Sequence, residues 1–256
     1  MYSIQNTSFI GKAFYVFDTL PSTNNFALEL LSKSKPSDGT VIMTHNQTAG
    51  RGQIGNHWYS EPDKNITLSV ILFPLFLNIQ QQFFLNEAIA LAAYDTISEY
   101  IDSNIIRIKW SNDVLINDQK VCGMLIQNSI QGNQFQYTVV GIGINVNQTN
   151  FADTDTKHAT SMRLHYNNDF SLQLLIENLC RHIEYYYQRL QQREFTYLHE
   201  LYMQRLYRKG QRALYQRTAD ASYFYGTISD VLPYGGLVIA TDNGTEVFDT
   251  KQLVFV

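Results

Sequence analysis

The side chains best suited to chemistry gather between Gln47 and Ser60, in Gln-Thr-Ala-Gly-Arg-Gly-Gln-Ile-Gly-Asn-His-Trp-Tyr-Ser, with three glycines, one arginine and one tryptophan. Little in this stretch could build a core. Glycine tolerates positive φ and lets backbone N–H groups approach a ligand. Arg51, flanked by Gly50 and Gly52, offers a fork of donors matched to a carboxylate or phosphate. The stretch therefore reads as an anion-cradling loop. Gly50 to Gly55 also spells G-x-G-x-x-G, but a dinucleotide site needs a helix just after it and an acidic residue about 20 positions on. A turn-rich segment follows instead, and residues 70–75 are apolar, so that reading is rejected. A glycine hairpin without a ligand is the bland alternative; Arg51 and Trp58 weigh against it.

Three other places carry candidate chemistry. Ser22-Thr23-Asn24 follows Pro21 and precedes Phe26-Ala27 and Leu30-Leu31, the pattern of a capped helix start. Capping alone would explain it; hydroxyls and an amide beside free backbone donors could equally bind a polar ring or a carboxylate. Asn112-Asp113 could orient an amide or hold Mg²⁺, although Asn-Asp is also ordinary turn chemistry. Between Gln134 and Val146, Gly141, Gly143, Asn145 and Asn147 share one parity and Val140, Ile142, Ile144 and Val146 the other. Strand side chains alternate faces, so one face is bare backbone and amides. Such a face suits a ligand lying on the backbone, or a bulge or close helix crossing.

The elements that must position these groups can be read from periodicity. Phe14–Phe17, Thr40–Thr44 and Ile66–Leu72 read as strands. Phe83 to Ile101 carries helical spacing and no chemistry. Ile105–Trp110, Val114–Ile116, Lys120–Ile130 and Gln134–Val146 form strands joined by turns at Asn117-Asp118-Gln119 and Gln131-Gly132-Asn133, a meander. Lys120 and Gly123 have opposite parity, so a bulge, or Lys120 reaching in from the turn, is needed to bring both to one face. Helices follow after Ser171 and around Phe195–Leu206. From Gly210 the pattern changes to short strands separated by Pro233-Tyr234-Gly235-Gly236 and Asp242-Asn243-Gly244, which reads as a small β-barrel. The expected division is residues 1–206 and 207–256.

Composition narrows the class. The chain has 256 residues, a formal net charge of −4 and 45% hydrophobic residues, ample for a core and without the basic excess of a nucleic-acid binder. Cys122 and Cys180 form no C-x-x-C pair, which suits a reducing, cytoplasmic setting and argues against a zinc site. The apolar run from Ile66 to Leu77 is interrupted and too short to span a bilayer, and no signal peptide is read at the start. No membrane or nucleic-acid partner is expected.

Ser22-Thr23-Asn24, the Gln47–Ser60 loop, Lys109-Trp110-Ser111-Asn112-Asp113, Lys120-Val121-Cys122-Gly123 and Gly141-Ile142-Gly143-Ile144-Asn145 stand in the order and spacing of biotin protein ligases. The chain resembles the short form of that family, strongly over residues 14–165 and weakly over the last fifty; Ala159-Thr160-Ser161-Met162 is similar to the family's Ala-Thr-Ser-Leu. The resemblance implies an α+β fold: a mixed, largely antiparallel sheet flanked by helices, of the class II aminoacyl-tRNA synthetase and biotin ligase type, with an SH3-like C-terminal barrel. It implies biotin and ATP as substrates, Mg²⁺, and an apo biotin carboxyl carrier protein or domain as partner. No DNA-binding domain is read before Phe14, and a homodimer through a sheet edge is left open.

By resemblance, Arg51 and Lys120 are catalytic. Arg51 bridges carboxylate and phosphate, and Lys120 steadies the transferred phosphoryl charge. Ser22, Thr23, Asn24 and Gln47 bond biotin, and Gly123, Gly141 and Gly143 give its ring room. Gly50, Gly52, Gln53 and Trp58 line the biotin side. Gln53, Asn56, Asn112, Asp113, Asn145 and Ala159 face ATP, with Asp113 a candidate Mg²⁺ ligand. Three positions depart from the family. Gln53 and Asn56 stand where many relatives have basic residues, and Ser111 where proline is usual. Gln53 cannot neutralise a phosphate, so the intermediate should lean more on Lys120 and Mg²⁺. Two other classes stay open: a lipoate or octanoate transferase on a related fold, and a non-catalytic binding module with the terminal strands as adaptor.

Overall fold

The computed structural model describes residues 4–53, 55–151 and 158–256. Strand β1 (Phe14–Leu20) leads into helix α1 (Thr23–Lys33), then β2 (Thr40–Gln47) and β3 (Ile66–Leu72). Helix α2 (Gln82–Ser98) precedes β4 (Ile106–Lys109), β5 (Asp113–Ile116), β6 (Gln119–Gln131) and β7 (Gln134–Ile144). Helices α3 (Met162–Tyr166), α4 (Leu172–Gln191) and α5 (Phe195–Arg205) follow, then β8 (Arg212–Arg217), β9 (Tyr223–Val231), β10 (Leu237–Thr241), β11 (Gly244–Phe248) and β12 (Leu253–Phe255).

The first sheet has seven strands in the order β1-β2-β3-β7-β6-β5-β4. Only β1 and β2 run parallel; β2–β3, β3–β7, β7–β6, β6–β5 and β5–β4 are antiparallel. This is the largely antiparallel α+β sheet that the resemblance implies. The expected turn at Asn117-Asp118 is made with φ of 47° and 65°, the geometry of a two-residue hairpin that Asn and Asp tolerate. Helix α1 begins where expected, with the Ser22 hydroxyl accepting from the Asn25 N–H, a cap worth about 1 kcal/mol.

The two faces of this sheet differ. One packs against α2, which is buried nearly all round, and behind it α4 and α5. The other meets α1 through Leu20, Ala27, Ile42, Ile71 and Val139. Along that second face the strands change character. In β3, Ile71 gives way to Ser69 and Thr67; in β7, Val139 gives way to Gly141 and Gly143. The apolar half is covered by α1, and the change falls at the start of that helix.

The last five strands form a second, antiparallel sheet in the order β11-β10-β9-β8-β12. Its inward residues, among them Tyr215, Ile228, Leu237 and Phe248, join the same hydrophobic core as α2, α4 and α5. Two backbone-directed bonds seat it: the Phe83 N–H donates to the Pro233 carbonyl at 3.0 Å, and Trp110 Nε1 donates to the Gly235 carbonyl at 3.0 Å. Gly235 has φ of +109°, and a Cβ there would stand 2.9 Å from the Phe83 ring. Among the described residues no helix is long and apolar enough to cross a membrane.

His199 on α5 fastens helix α2 to the second sheet through charge. Its Nδ1 lies 2.8 Å from the buried Glu87 carboxylate on α2, and its Nε2 lies 2.9 Å from Asp230 on β9. The bond to Glu87 and, behind it, the charges of both carboxylates push the imidazole from 6.5 to about 9, against its own burial. Burial also raises the Glu87 carboxyl, with the imidazolium pulling it back. Because the folded value for His199 lies above the unfolded one, its contribution is fully present below pH 6.5 and is lost as pH rises through about 9. We expect that raising pH from about 6 to about 10 removes about 2 kcal/mol more stability from the wild type than from His199→Gln, allowing for screening at exposed Asp230. Urea titrations at the two pH values check this.

Candidate active site

A cavity of about 550 Å³ opens on the uncovered half of the α1 face. Its floor is one cross-strand row. Thr67 on β3 pairs with Gly143 on β7, Gly143 with Gly123 on β6, and Gly123 with Asp113 on β5. The parity conflict between Lys120 and Gly123 is resolved by a bulge. Opposite Val114 and Leu115 the partners step from Cys122 to Lys120, so Val121 is the extra residue. Lys120 and Gly123 thus share the cavity face.

Three glycines allow side chains to lie against this floor. A Cβ on Gly143 would sit 2.3 Å from the Trp58 indole, and one on Gly123 would sit 2.9 Å from Lys120 Cε and 3.0 Å from Trp58. A Cβ on Gly141 would sit 2.3 Å from Asn24 Oδ1. The room expected for a ligand ring is therefore taken, in good part, by Asn24, Trp58 and Lys120. Gly50 lies beneath the loop, outside the cavity lining: its carbonyl accepts from the Trp58 N–H at 3.0 Å, and a Cβ on it would meet the Trp58 carbonyl at 2.1 Å.

The start of α1 forms one wall. Gln47 Oε1 accepts from the Thr23 N–H at 2.9 Å and from the Thr23 hydroxyl at 3.3 Å. Asn24 is saturated within the protein: its amide donates to the Leu125 carbonyl and Gln127 Oε1, and its Oδ1 accepts from Ser69 at 2.6 Å. Gln47 and Asn24 thereby shape the wall, and Gln47 orients the Thr23 hydroxyl within it.

The charges enter from separate segments. Lys120 Nζ lies 2.7 Å from Asp113 Oδ1, in an ion pair that lacks hydrogen-bond alignment, and 5.7 Å from the Trp58 ring centroid. The backbone of Lys120 is pinned on both sides: its N–H donates to His158 and its carbonyl accepts from Thr160, at 2.7 and 2.9 Å. Arg51 stands exposed at the mouth, donating to Asn25 Oδ1 on the first turn of α1 at 2.8 Å. Both cations line the one cavity. Polar atoms also stand unpaired: Trp58 Nε1, a donor, and Asn145 Oδ1, an acceptor, are buried without hydrogen-bond partners among the described residues. Each such group costs about 1–3 kcal/mol, which a polar ligand would recover.

Of the residues expected at the site, all but Gly50 line this cavity: the α1 start, the loop from Arg51 to Trp58 with Gln53 and Asn56, the pair Asn112 and Asp113, Lys120, the floor glycines, Asn145 and Ala159. Ile54 of the loop lies outside the described residues. The stretch from Lys109 to Asp113 divides. Asn112 and Asp113 face the cavity, whereas Trp110 bonds Gly235 and the Lys109 ammonium lies 5.0 Å from the Phe255 ring, with burial holding its pKa below the usual range. Thr67, Ser69 and Gln127 were missed. The signal was present for two of them: Thr67 and Ser69 alternate with apolar residues in β3 and face the two β7 glycines.

Among the described residues no group of three His, Cys, Asp or Glu could hold a metal ion. Asp113, engaged with Lys120, is a single carboxylate beside the Asn112 amide. That donor set fits a Mg²⁺ ion that brings most of its ligands with a nucleotide, and does not fit a dedicated protein cage.

A model of the biotin/lipoate A/B protein ligase family matches residues 16–145. The chain is 34% identical over 159 residues to the bifunctional ligase/repressor BirA of Bacillus subtilis, covering 61% of this chain and 48% of that one. It is 36% identical over 128 residues to the biotin–[acetyl-CoA-carboxylase] ligase of Paracoccus denitrificans, covering 49% and 51%. The chain thus spans about half the length of these relatives. Among solved structures, the biotin protein ligase of Aquifex aeolicus in complex with biotin and ATP matches 96% of this chain and all of that one, with a TM-score of 0.78 at 22% identity. The Leishmania major biotin protein ligase in complex with biotinyl-5-AMP matches with a TM-score of 0.62 at 18% identity, over 93% and 99%. At such identities the likeness speaks for the fold.

The floor generates a direct test. Gly143→Ala places a methyl group 2.3 Å from the indole, so the expected result is displacement of Trp58 toward solvent. Its fluorescence emission, read in a Trp110→Phe background, should shift to longer wavelength.

Proposed function

The chain belongs to the biotin/lipoate A/B protein ligase family, and from that premise we propose that it joins biotin to a lysine of an apo biotin carboxyl carrier domain in two ATP-driven steps. In the first, a biotin carboxylate oxygen attacks the α-phosphorus of ATP; the bond to the bridging oxygen breaks and pyrophosphate leaves, giving biotinyl-5′-AMP. In the second, a neutral lysine amine attacks the carboxyl carbon. The C–N bond forms, the C–O bond breaks with its electron pair going to AMP, and the nitrogen loses its surplus proton to water.

The observation that carries this reading is that one cavity brings Arg51 from a glycine loop and Lys120 from a bulged strand to a floor of glycines. Carboxylate and triphosphate repel, and fixed cations offset that repulsion most where charge moves. Lys120, pinned at both backbone atoms and paired with Asp113, is the preorganised charge at the α-phosphate. Arg51 is the adjustable one, closing over carboxylate and phosphate together. Thr23, Ser22 and Trp58 Nε1 supply polar contacts on the biotin side. Asn112, the Asn145 Oδ1 acceptor, Ala159 and Asn56 face the nucleotide. Mg²⁺ arriving with the triphosphate would find Asp113 and would neutralise phosphate charge.

We assign residues 1–206 to catalysis and 207–256 to a supporting module. The two buried, free cysteines suit the cytoplasm.

The test is acid-dependent ATP–pyrophosphate exchange, followed by labelling of an apo carrier domain read with streptavidin. Biotin should drive exchange and lipoate or octanoate should not; the reverse order overturns the assignment. Lys120→Ala and Arg51→Ala should each lower the exchange rate about 10²- to 10³-fold while leaving the circular dichroism unchanged.

A further inference from the structure

A second cavity of about 550 Å³ lies beside the first. Its walls come from the start of α2 at Phe83 and Asn86, from Ile126 on β6, and from the C-terminal sheet at Tyr234 and Thr250. Gln53 lines both cavities, and Ser111 lines the second. The partition is a chain of neutral groups. Gln53 Nε2 donates to Ser111 Oγ at 3.3 Å, Ser111 Oγ donates to Asn112 Oδ1 at 3.2 Å, and the Asn112 amide donates to the Met124 carbonyl. Two positions that depart from the family pattern, Gln53 and Ser111, therefore meet in one contact.

That contact is built to open. It is a neutral bond at the long end of the hydrogen-bond range, easily broken. The backbone beside Gln53 is held by Gly52 N–H to the Asn56 carbonyl and Asn56 N–H to the Gln53 carbonyl at 2.9 and 2.8 Å, with φ of +89° at Gly55. The side chain can leave Ser111 without disturbing the bulged strand or its lysine. One wall of the second cavity is fixed, because the Phe83 N–H of α2 and Trp110 Nε1 beyond β4 hold the Pro233–Gly235 turn.

We infer that the second cavity is the entrance for the acceptor lysine and that the Gln53–Ser111 contact is its gate. The inference rests on the ligase reading. A folded carrier domain is too wide for either cavity, so only a lysine on an exposed turn can reach the intermediate. The mouth at Arg51 closes over carboxylate and phosphate, which leaves the wall shared with the second cavity as the other approach. Ile126 and Tyr234 suit the aliphatic stem of a lysine, and amides such as Asn86 suit the backbone of the turn that carries it. A closed gate keeps water from the mixed anhydride until an acceptor displaces Gln53.

The two half-reactions separate under assay. Thr250→Trp, on an exposed turn, and Asn86→Trp, on α2, each fill the second cavity. Both should retain biotin-dependent exchange within twofold of wild type. Transfer from preformed biotinyl-5′-AMP to the apo carrier should lose at least tenfold in kcat/KM, through KM. Hydroxylamine, a nucleophile small enough to need no entrance, should still intercept the biotinyl group at the wild-type rate. Ser111→Ala should raise hydrolysis of the intermediate several-fold when no acceptor is present. Transfer at the wild-type rate in both tryptophan variants overturns the inference while leaving the ligase reading intact. Absence of exchange in the wild type overturns the ligase reading, and the inference with it.

Discussion

A β-sheet presents a Cβ at every second residue of each face, so nothing else can lie flat on its backbone. In this protein one patch escapes that constraint. Gly123 and Gly143 stand opposite each other, Gly141 is two residues earlier in β7, and Trp58, Lys120 and Asn24 occupy the freed height. The arrangement is interdependent. Without the glycines the indole and the ammonium would be lifted away from the sheet; without the Val121 bulge, Lys120 would point through to the core on the other side. The Lys120 ammonium on this face and the bare floor are thus two results of the same local register.

The sheet face that carries the floor also explains why the site sits where it does. An apolar surface must be covered, and α1 covers the half built from Ile42, Ile71 and Val139. The helix stops short of the half built from Thr67, Ser69 and the glycines, which has no apolar area to bury. Its first turn, capped by Ser22 and braced by Gln47, therefore ends at the rim. The two cations play different parts for the same geometric reason. Lys120 belongs to a strand and has its backbone and its ammonium both fixed. Arg51 belongs to a glycine-rich loop, where conformational freedom in the free state is large and ordering is costly.

Much of this was legible in the residues. Period-two and helical spacing located β3, α2 and the meander, and Asn117-Asp118 marked its hairpin, because these depend on neighbours along the chain. The residues that line the first cavity were legible through motif order. What the sequence did not carry was the outcome of pairing between distant segments. Alternation alone placed Lys120 and Gly123 on opposite faces; the bulge that reunites them is decided by how β6 pairs with β5. Asn24 read as a ligand donor, yet its amide is consumed by Leu125 and Gln127, residues about a hundred positions away. The docking of Trp110 on Gly235, which spans 125 positions, and the imidazole held between Glu87 and Asp230 are equally non-local.

The shared core has a consequence for how the molecule comes apart. Side chains from the last five strands belong to the same hydrophobic cluster as those of α2, α4 and α5, and the bonds from Phe83 to Pro233 and from Trp110 to Gly235 cross the seam. A seam of that kind melts as a unit: heating should give one calorimetric peak, and cutting the chain after α5 would strip cover from Phe83 and leave a sticky surface in place of a smaller folded unit. The terminal strands are in this sense one side of the interior that α2, α4 and α5 share.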